Sequence, residues 1–129
     1  MATIKRVLAS DPIDQQFVEA LQKFGLEVDE RKLSKSELVR EIGNYDCLVV
    51  RSGTQVTAEV LAAGGDRLKL VGRAGTGVDN IDVPAATRCG VAVMNTPGAN
   101  TTSAAELTCA LILALSRHVP QVKLSSYFS

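Results

Sequence analysis

Tryptophan is missing from this chain of 129 residues, and three phenylalanines and two tyrosines are all the aromatics it has. A hydrophobic core must therefore be built from valine, leucine, isoleucine and alanine. An excess of charge of either sign is also missing, with 14 basic and 14 acidic side chains. There is no basic run and no interleaving of basic with aromatic residues. Nucleic acid is not the expected partner, because binding it requires clustered cations to neutralise phosphates. No apolar run reaches the ~18 residues of a membrane span; the longest, Ala104 to Leu115, is broken by Glu106. The opening Met1-Ala-Thr-Ile-Lys-Arg6 lacks the apolar core of a signal peptide. Cysteine is scarce: Cys47, Cys89 and Cys109 are odd in number and far apart. They read as buried free thiols of a protein in a reducing cytoplasm, not as a disulfide or metal site. No Cys, His or carboxylate cluster has metal-ligand spacing.

What remains is ordinary globular material, 46% apolar and 22% charged, long enough for one domain with a real core. Ile4 to Ala9 reads as a strand, and Ser10-Asp11-Pro12 as the cap and first turn of a helix carrying Ile13, Phe17, Leu21 and Phe24. Gly25 ends that helix as its left-handed residue. Leu26 to Asp29 alternates like a half-buried edge strand. Ser34 and Glu37 form a capping box for a second helix, with Leu38 and Ile42 inward and Gly43-Asn44 closing it. Cys47 to Val50 is a continuous apolar run, hence a central strand covered on both faces. Thr57 caps a third helix that stops at Gly64-Gly65. Leu68 to Val71 is the next strand, and Asp82 with Pro84 opens a short helix ending at Gly90. Val91 to Met94 is a further apolar strand. A second capping box, Ser103 with Glu106, begins a helix running to about Val119, where Pro120 stops it. Strands alternating with helices predict an α/β class with a mainly parallel, doubly wound sheet of five strands, flavodoxin-like or Rossmann-like.

Parallel strands gather their carboxyl ends on one rim, where ligands of open α/β sheets bind. That rim carries Ser10-Asp11, Arg51-Ser52, Arg73-Ala-Gly75-Thr76 and Asn95-Thr96, with Asn100 and Ser103 just beyond. Gly72, Gly75 and Gly77 make the loop after the fourth strand one into which a ligand can press close to the backbone. Two guanidiniums, hydroxyls and loop amides favour a small carboxylate or phosphate. The alternative is that Arg51 and Arg73 pair with Asp11, Asp79 or Asp82 as structural ion pairs. Gly75-Thr-Gly77-Val-Asp-Asn80 resembles the start of a dinucleotide fingerprint, yet Asn80 replaces its third glycine and the acidic residue ~20 positions on is missing. A phosphoacceptor receiver domain would need a carboxylate where Arg51 stands. His118, the sole histidine, suits the carboxyl end of the last helix better than catalysis. That last helix is apolar nearly all round, from Ala104 to Leu115, and a helix of this kind is expected to be buried on every side. One sheet covers only one side of it, so a second domain or chain must supply the rest. Left bare, it should make the protein self-associate.

Val49-Val-Arg-Ser52, Val71-Gly-Arg-Ala-Gly-Thr-Gly-Val-Asp-Asn80, Val93-Met-Asn-Thr-Pro97 and Ser103-Ala-Ala-Glu-Leu-Thr108 resemble the NAD-dependent D-2-hydroxyacid dehydrogenases. Within them the likeness is to the animal-type enzymes that oxidise 3-phosphoglycerate to 3-phosphohydroxypyruvate, the first committed step of serine synthesis, in the cytosol. It runs from about Ile4 to Gln121. The resemblance implies a substrate-binding lobe over 1–101, an apolar linking and dimer-forming helix over 102–120, and a divergent tail over 121–129. Arg51, Ser52, Arg73, Gly75 and Asn100 match positions that hold the substrate, and Thr76 one that touches the NAD cofactor. The family's nucleotide-binding domain, its catalytic Arg, Glu and His, and the return segment that completes the substrate lobe have no counterpart here. The resemblance thus implies a truncated product with no catalytic residue and little affinity for NAD by itself. Its implied partners are the small anionic substrate and either a second copy or the full-length enzyme, met through the helix over 103–119.

Overall fold

The computed structural model describes residues 4–98 and 100–119. They form two units, divided after Pro97. In the first, strands β1 (Arg6–Ala9), β2 (Glu27–Glu30), β3 (Cys47–Val50), β4 (Leu70–Arg73) and β5 (Ala92–Asn95) make one sheet in the order β2-β1-β3-β4-β5. Every neighbouring pair is parallel, as the alternation of strands and helices predicts. Helices α1 (Gln15–Lys23), α2 (Lys35–Glu41), α3 (Ala58–Ala63) and α4 (Val83–Arg88) make the crossovers, and the turn Ile42–Asn44 closes α2.

Strand residues alternate between two cores. Leu8, Leu48, Val50 and Val71 pack with Leu38 and Ile42 of the second crossover, Val60 and Leu61 of α3, and Ala85 and Ala86 of α4. Val7, Cys47 and Val49 point the other way, towards Ile13 and Leu21 of the first crossover. The continuous apolar run of β3 is thus buried on both faces, as a central parallel strand requires. Each fully buried leucine or isoleucine contributes ~1.5–3 kcal/mol by leaving water. Beside α1, an apolar groove of about 340 Å³ stays open on that face, lined by Val49, Leu70, Gly72 and Met94 among others.

Local signals mostly hold. Ser34 and Glu37 close both hydrogen bonds of their capping box, Asp82 caps α4 through the Ala85 N–H at 2.9 Å, and Gly25 and Gly90 take positive φ at helix ends. Several expectations fail for tertiary reasons. Asp14, not Ser10 or Asp11, caps α1, because Asp11 is turned towards the β3 loop. Thr57 stands at the α3 cap position without a side-chain hydrogen bond. β4 covers Leu70–Arg73 instead of Leu68–Val71, because its register is set by pairing Cys47 with Leu70 and Val50 with Arg73. β5 is apolar in sequence yet lies at the sheet edge, with Met94 well exposed.

The second unit holds α5 (Thr101–Ser116). It begins earlier than expected, after Asn100 and without a side-chain cap, so Ser103 lies inside the helix and the Ser103–Glu106 box does not form. None of its residues is buried. Its end comes at Ser116, with His118 at φ 53; Pro120 lies outside the described residues, as does the tail over 121–129. No described helix is long and apolar enough to cross a membrane.

Of the cysteines only Cys47 is buried, while Cys89 and Cys109 are exposed, which corrects the expectation of three buried thiols. Burial pushes the Cys47 thiol up to about 11, with Asp46 adding to the shift. Because the thiolate is the reactive form, a thiol reagent at mildly alkaline pH should modify Cys89 and Cys109 in the native protein. Cys47 should react only after denaturation. Native modification of Cys47 at the rate of the other two, read by peptide mass mapping, would contradict this packing.

Candidate functional site

The rim at the carboxyl ends of β1, β3, β4 and β5 is held by side chains that satisfy backbone groups of neighbouring loops. Asp11, buried directly after β1, accepts hydrogen bonds from the N–H of Arg51 at 2.7 Å and of Thr54 at 3.0 Å. Gly53 lies so close that a Cβ there would stand 2.7 Å from the Asp11 Oδ1. Asn80, also buried, donates from Nδ2 to the carbonyls of Arg51 at 2.7 Å and Thr54 at 2.6 Å. A one-residue parallel bridge, Val56 with Ile81, continues this seam. Across β4 and β5, the Asn95 Nδ2 donates to the Thr76 carbonyl at 2.6 Å, and the Thr96 N–H to the Gly75 carbonyl at 3.1 Å. The glycine loop is therefore clamped from both neighbours.

Arg73 is the last residue of β4, and its guanidinium is held under the loop it precedes. Its side chain is only 9% exposed and its Nη1 pairs with the Asp79 Oδ1 at 3.1 Å, whereas Asp79 is 83% exposed. The Arg73 Nε is buried and has no partner among the described residues. Gly77 permits this closure: a Cβ there would come within 2.6 Å of the Arg73 Nη1 and 2.8 Å of the Asp79 Oδ1. One of the ion pairings considered from sequence therefore forms. Among the described residues Arg51 makes none; its exposed side chain donates a long hydrogen bond, 3.5 Å, to the Pro12 carbonyl.

The two guanidiniums do not line one recess. Arg51 borders a hollow with Pro12, Ile13, Asp14, Phe17 and Ala74. Arg73 and Ala74 lie at the end of the apolar groove, beside Asn95 and Thr96. Ala74 and Phe17 belong to both, so the hollows adjoin. Ser52 and Thr76 are exposed on the rim, Gly75 is half-buried, and Asn100 belongs to the second unit. Sequence reasoning missed the roles of Asp11 and Asn80. The signal for Asn80 was present in its replacement of a fingerprint glycine, since a buried amide can bridge two carbonyls where glycine can bridge none.

These residues do not fit a self-sufficient NAD site. A dinucleotide fingerprint delivers its loop straight into a helix whose free amides take the pyrophosphate. Here Ile81 and Asp82 separate the loop from α4, and the Asp82 carboxylate occupies the amide a phosphate would need. Among the described residues no group of His, Cys, Asp or Glu could hold a metal ion.

Residues 7–127 match the model of the D-isomer specific 2-hydroxyacid dehydrogenase, catalytic domain. The chain is 52% identical over 125 residues to D-3-phosphoglycerate dehydrogenase of Sus scrofa, covering 96% of itself and 23% of that protein. It is 49% identical over 117 residues to the protein of the same name from Archaeoglobus fulgidus, covering 90% of itself and 22% of that chain. Thus the chain spans less than a quarter of the length of these relatives. Among solved structures, a Thermus thermophilus protein superposes with TM-score 0.86 at 31% identity, over 96% of this chain and 40% of that one. An NAD+-bound 3-phosphoglycerate dehydrogenase of Entamoeba histolytica does so with TM-score 0.74 at 32% identity, over 87% and 39%.

The rim seam can be tested directly. Asn80→Ala leaves two carbonyls short of a donor and should lower stability by about 2–3 kcal/mol in chemical denaturation. Asp11→Ala should cost a similar amount through the two N–H groups it strands. A loss below ~0.5 kcal/mol for both would mean that water satisfies these groups and the seam does not hold the loops.

Proposed function

This chain belongs to the D-isomer specific 2-hydroxyacid dehydrogenase family, and from that premise we propose that its rim is the substrate side of a phosphoglycerate dehydrogenase. The observation that carries this reading is the Arg73 guanidinium, buried against Gly75 and Gly77 with an Nε that has no partner among the described residues. A buried cation with a spare donor is suited to a carboxylate, because charge-assisted hydrogen bonds strengthen away from water. Arg51, exposed on the adjoining hollow, is free to meet a second negative group of the same small molecule. 3-Phosphoglycerate carries two such groups. Ser52 and Gly75 supply neighbouring polar contacts, and Thr76 faces the cofactor.

In this reading the chain recognises the acid and leaves the redox step to another domain. Hydride transfer needs NAD held against the substrate, and proton transfer needs a group within hydrogen-bond reach. The single histidine, His118, sits past the end of α5 in the other unit. The open half of the α1 face supports the view that the lobe is one part of a larger enzyme. A second reading rests on α5, whose apolar side chains are unburied: the chain is a non-catalytic module that joins a full-length dehydrogenase, or a second copy, through 103–119.

Calorimetry with 3-phosphoglycerate separates these possibilities. Arg51→Ala and Arg73→Ala should each weaken binding about tenfold or more, the loss of one charge-assisted contact. Arg51 is exposed, so its variant should keep the wild-type melting temperature. Equal heats in all three proteins would remove the substrate reading. Incubation with 3-phosphoglycerate and NAD should yield no NADH above blank, and turnover at a complete enzyme's rate would overturn the division of labour. Light scattering of the chain mixed with a complete homologous dehydrogenase should show a mixed species, or a doubled mass of the chain itself, if the second reading is right; the monomer mass beside the unmixed enzyme would exclude it.

A further inference from the structure

The contact between Arg73 and Asp79 is lopsided. The guanidinium is 9% exposed and fixed at the end of a strand, whereas the carboxylate that meets it is 83% exposed and belongs to the loop. The two ends of the contact therefore differ in what it takes to part them. Moving Arg73 would disrupt the β4 terminus, while swinging Asp79 outward returns a carboxylate to water it already touches. The contact also leaves the cation's needs unmet, since the buried Nε has no acceptor. Asn80, directly after Asp79, is fastened to the β3 loop by two hydrogen bonds. Swinging of the carboxylate is thus confined to the Asp79 side chain and the residues before it.

From this geometry we infer that Asp79 is a built-in competitor, a carboxylate that occupies Arg73 until an incoming carboxylate or phosphate displaces it. The inference rests on the proposed reading of Arg73 as the anion holder and adds an affinity threshold to it. A ligand with one weak negative group gains too little to displace an acid already in place. A ligand that reaches both Nη1 and Nε, and meets Arg51 across Ala74, gains more than Asp79 supplies through one oxygen. Asp79 therefore acts as a threshold: it weakens every anion at Arg73 by the same factor, and an acid that binds weakly to begin with is the first to fall below useful affinity. Gly77 sets the threshold's geometry, since any side chain there would intrude between the paired atoms.

The test uses the whole chain and reads the Arg73 Nε–H by nitrogen NMR while titrating 3-phosphoglycerate, with acetate as the singly charged probe. Asp79→Asn should tighten acetate binding about threefold to fivefold, in line with removing one partner of a half-exposed ion pair. The gain for 3-phosphoglycerate should be of the same size, because a competitor that must leave before either ligand binds weakens both by one factor. Asp66→Asn, which removes the same charge from an exposed turn at the other end of β4, should change neither. Asp79→Ser serves as a second variant should the amide pair with Arg73 itself. If 3-phosphoglycerate binds and depends on Arg73 but Asp79→Asn and Asp79→Ser leave both affinities unchanged, the competitor role is wrong while the anion site stands. If no ligand shifts the Arg73 signal in any variant, the anion site falls and the competitor with it.

Discussion

Parallel strands that end together leave a rim of backbone N–H and C=O groups with no ladder partner, and such groups must be satisfied. Here two short side chains carry much of that task. Asp11 takes the N–H groups of the β3 loop and Asn80 takes its carbonyls, so Arg51 has its backbone fixed at both ends while its side chain stays in solvent. The position of the β3 loop against the β4 loop depends on these contacts. So does everything built on the two loops, including the place of Ala74 between the adjoining hollows.

The glycine loop shows how one sequence feature can serve a purpose other than the one it suggests. Its spacing resembles a phosphate-cradling turn, yet what Gly77 admits is the closure of a loop over an arginine of the same chain. Asn95 and Thr96 tie the loop's first residues to β5, leaving Asp79 as its exposed tip. A buried guanidinium close to a clamped loop is already ordered, so little conformational freedom would be lost if an anion met it. The energy of holding that cation out of water is met only in part by Asp79.

Among the described residues two apolar surfaces stand without cover, one in each unit: the half of the sheet face beyond α1, and the circumference of α5. Both follow from one feature of the sequence, which places apolar residues at positions a single five-stranded lobe cannot bury. Membership in a family whose members are much longer than this chain is consistent with that excess.

Periodicity, capping pairs and glycine stops were enough to read the fold class, all five strands and the order of helices. These are local features, and a chain segment expresses them whatever its neighbours do. The shared rim of Arg51, Arg73 and Thr76 was readable for the same reason, because strand ends follow from strand identity. Other decisions needed partners distant in sequence. The apolar stretch from Leu68 to Val71 offered two strand windows, and pairing with β3 chose the later one, which drew Arg73 into the sheet. Asp11 has the chemistry of a helix cap but accepts from Arg51 and Thr54 instead, because folding brings those amides closer. Asn80 looked like a failed glycine until two carbonyls, 29 and 26 positions away in sequence, met its amide. Sequence alone determined which elements form, since that is a matter of local propensity and pattern. Tertiary structure alone decided which polar atoms face each other, since hydrogen bonds act over a few ångströms of space and carry no memory of distance along the chain.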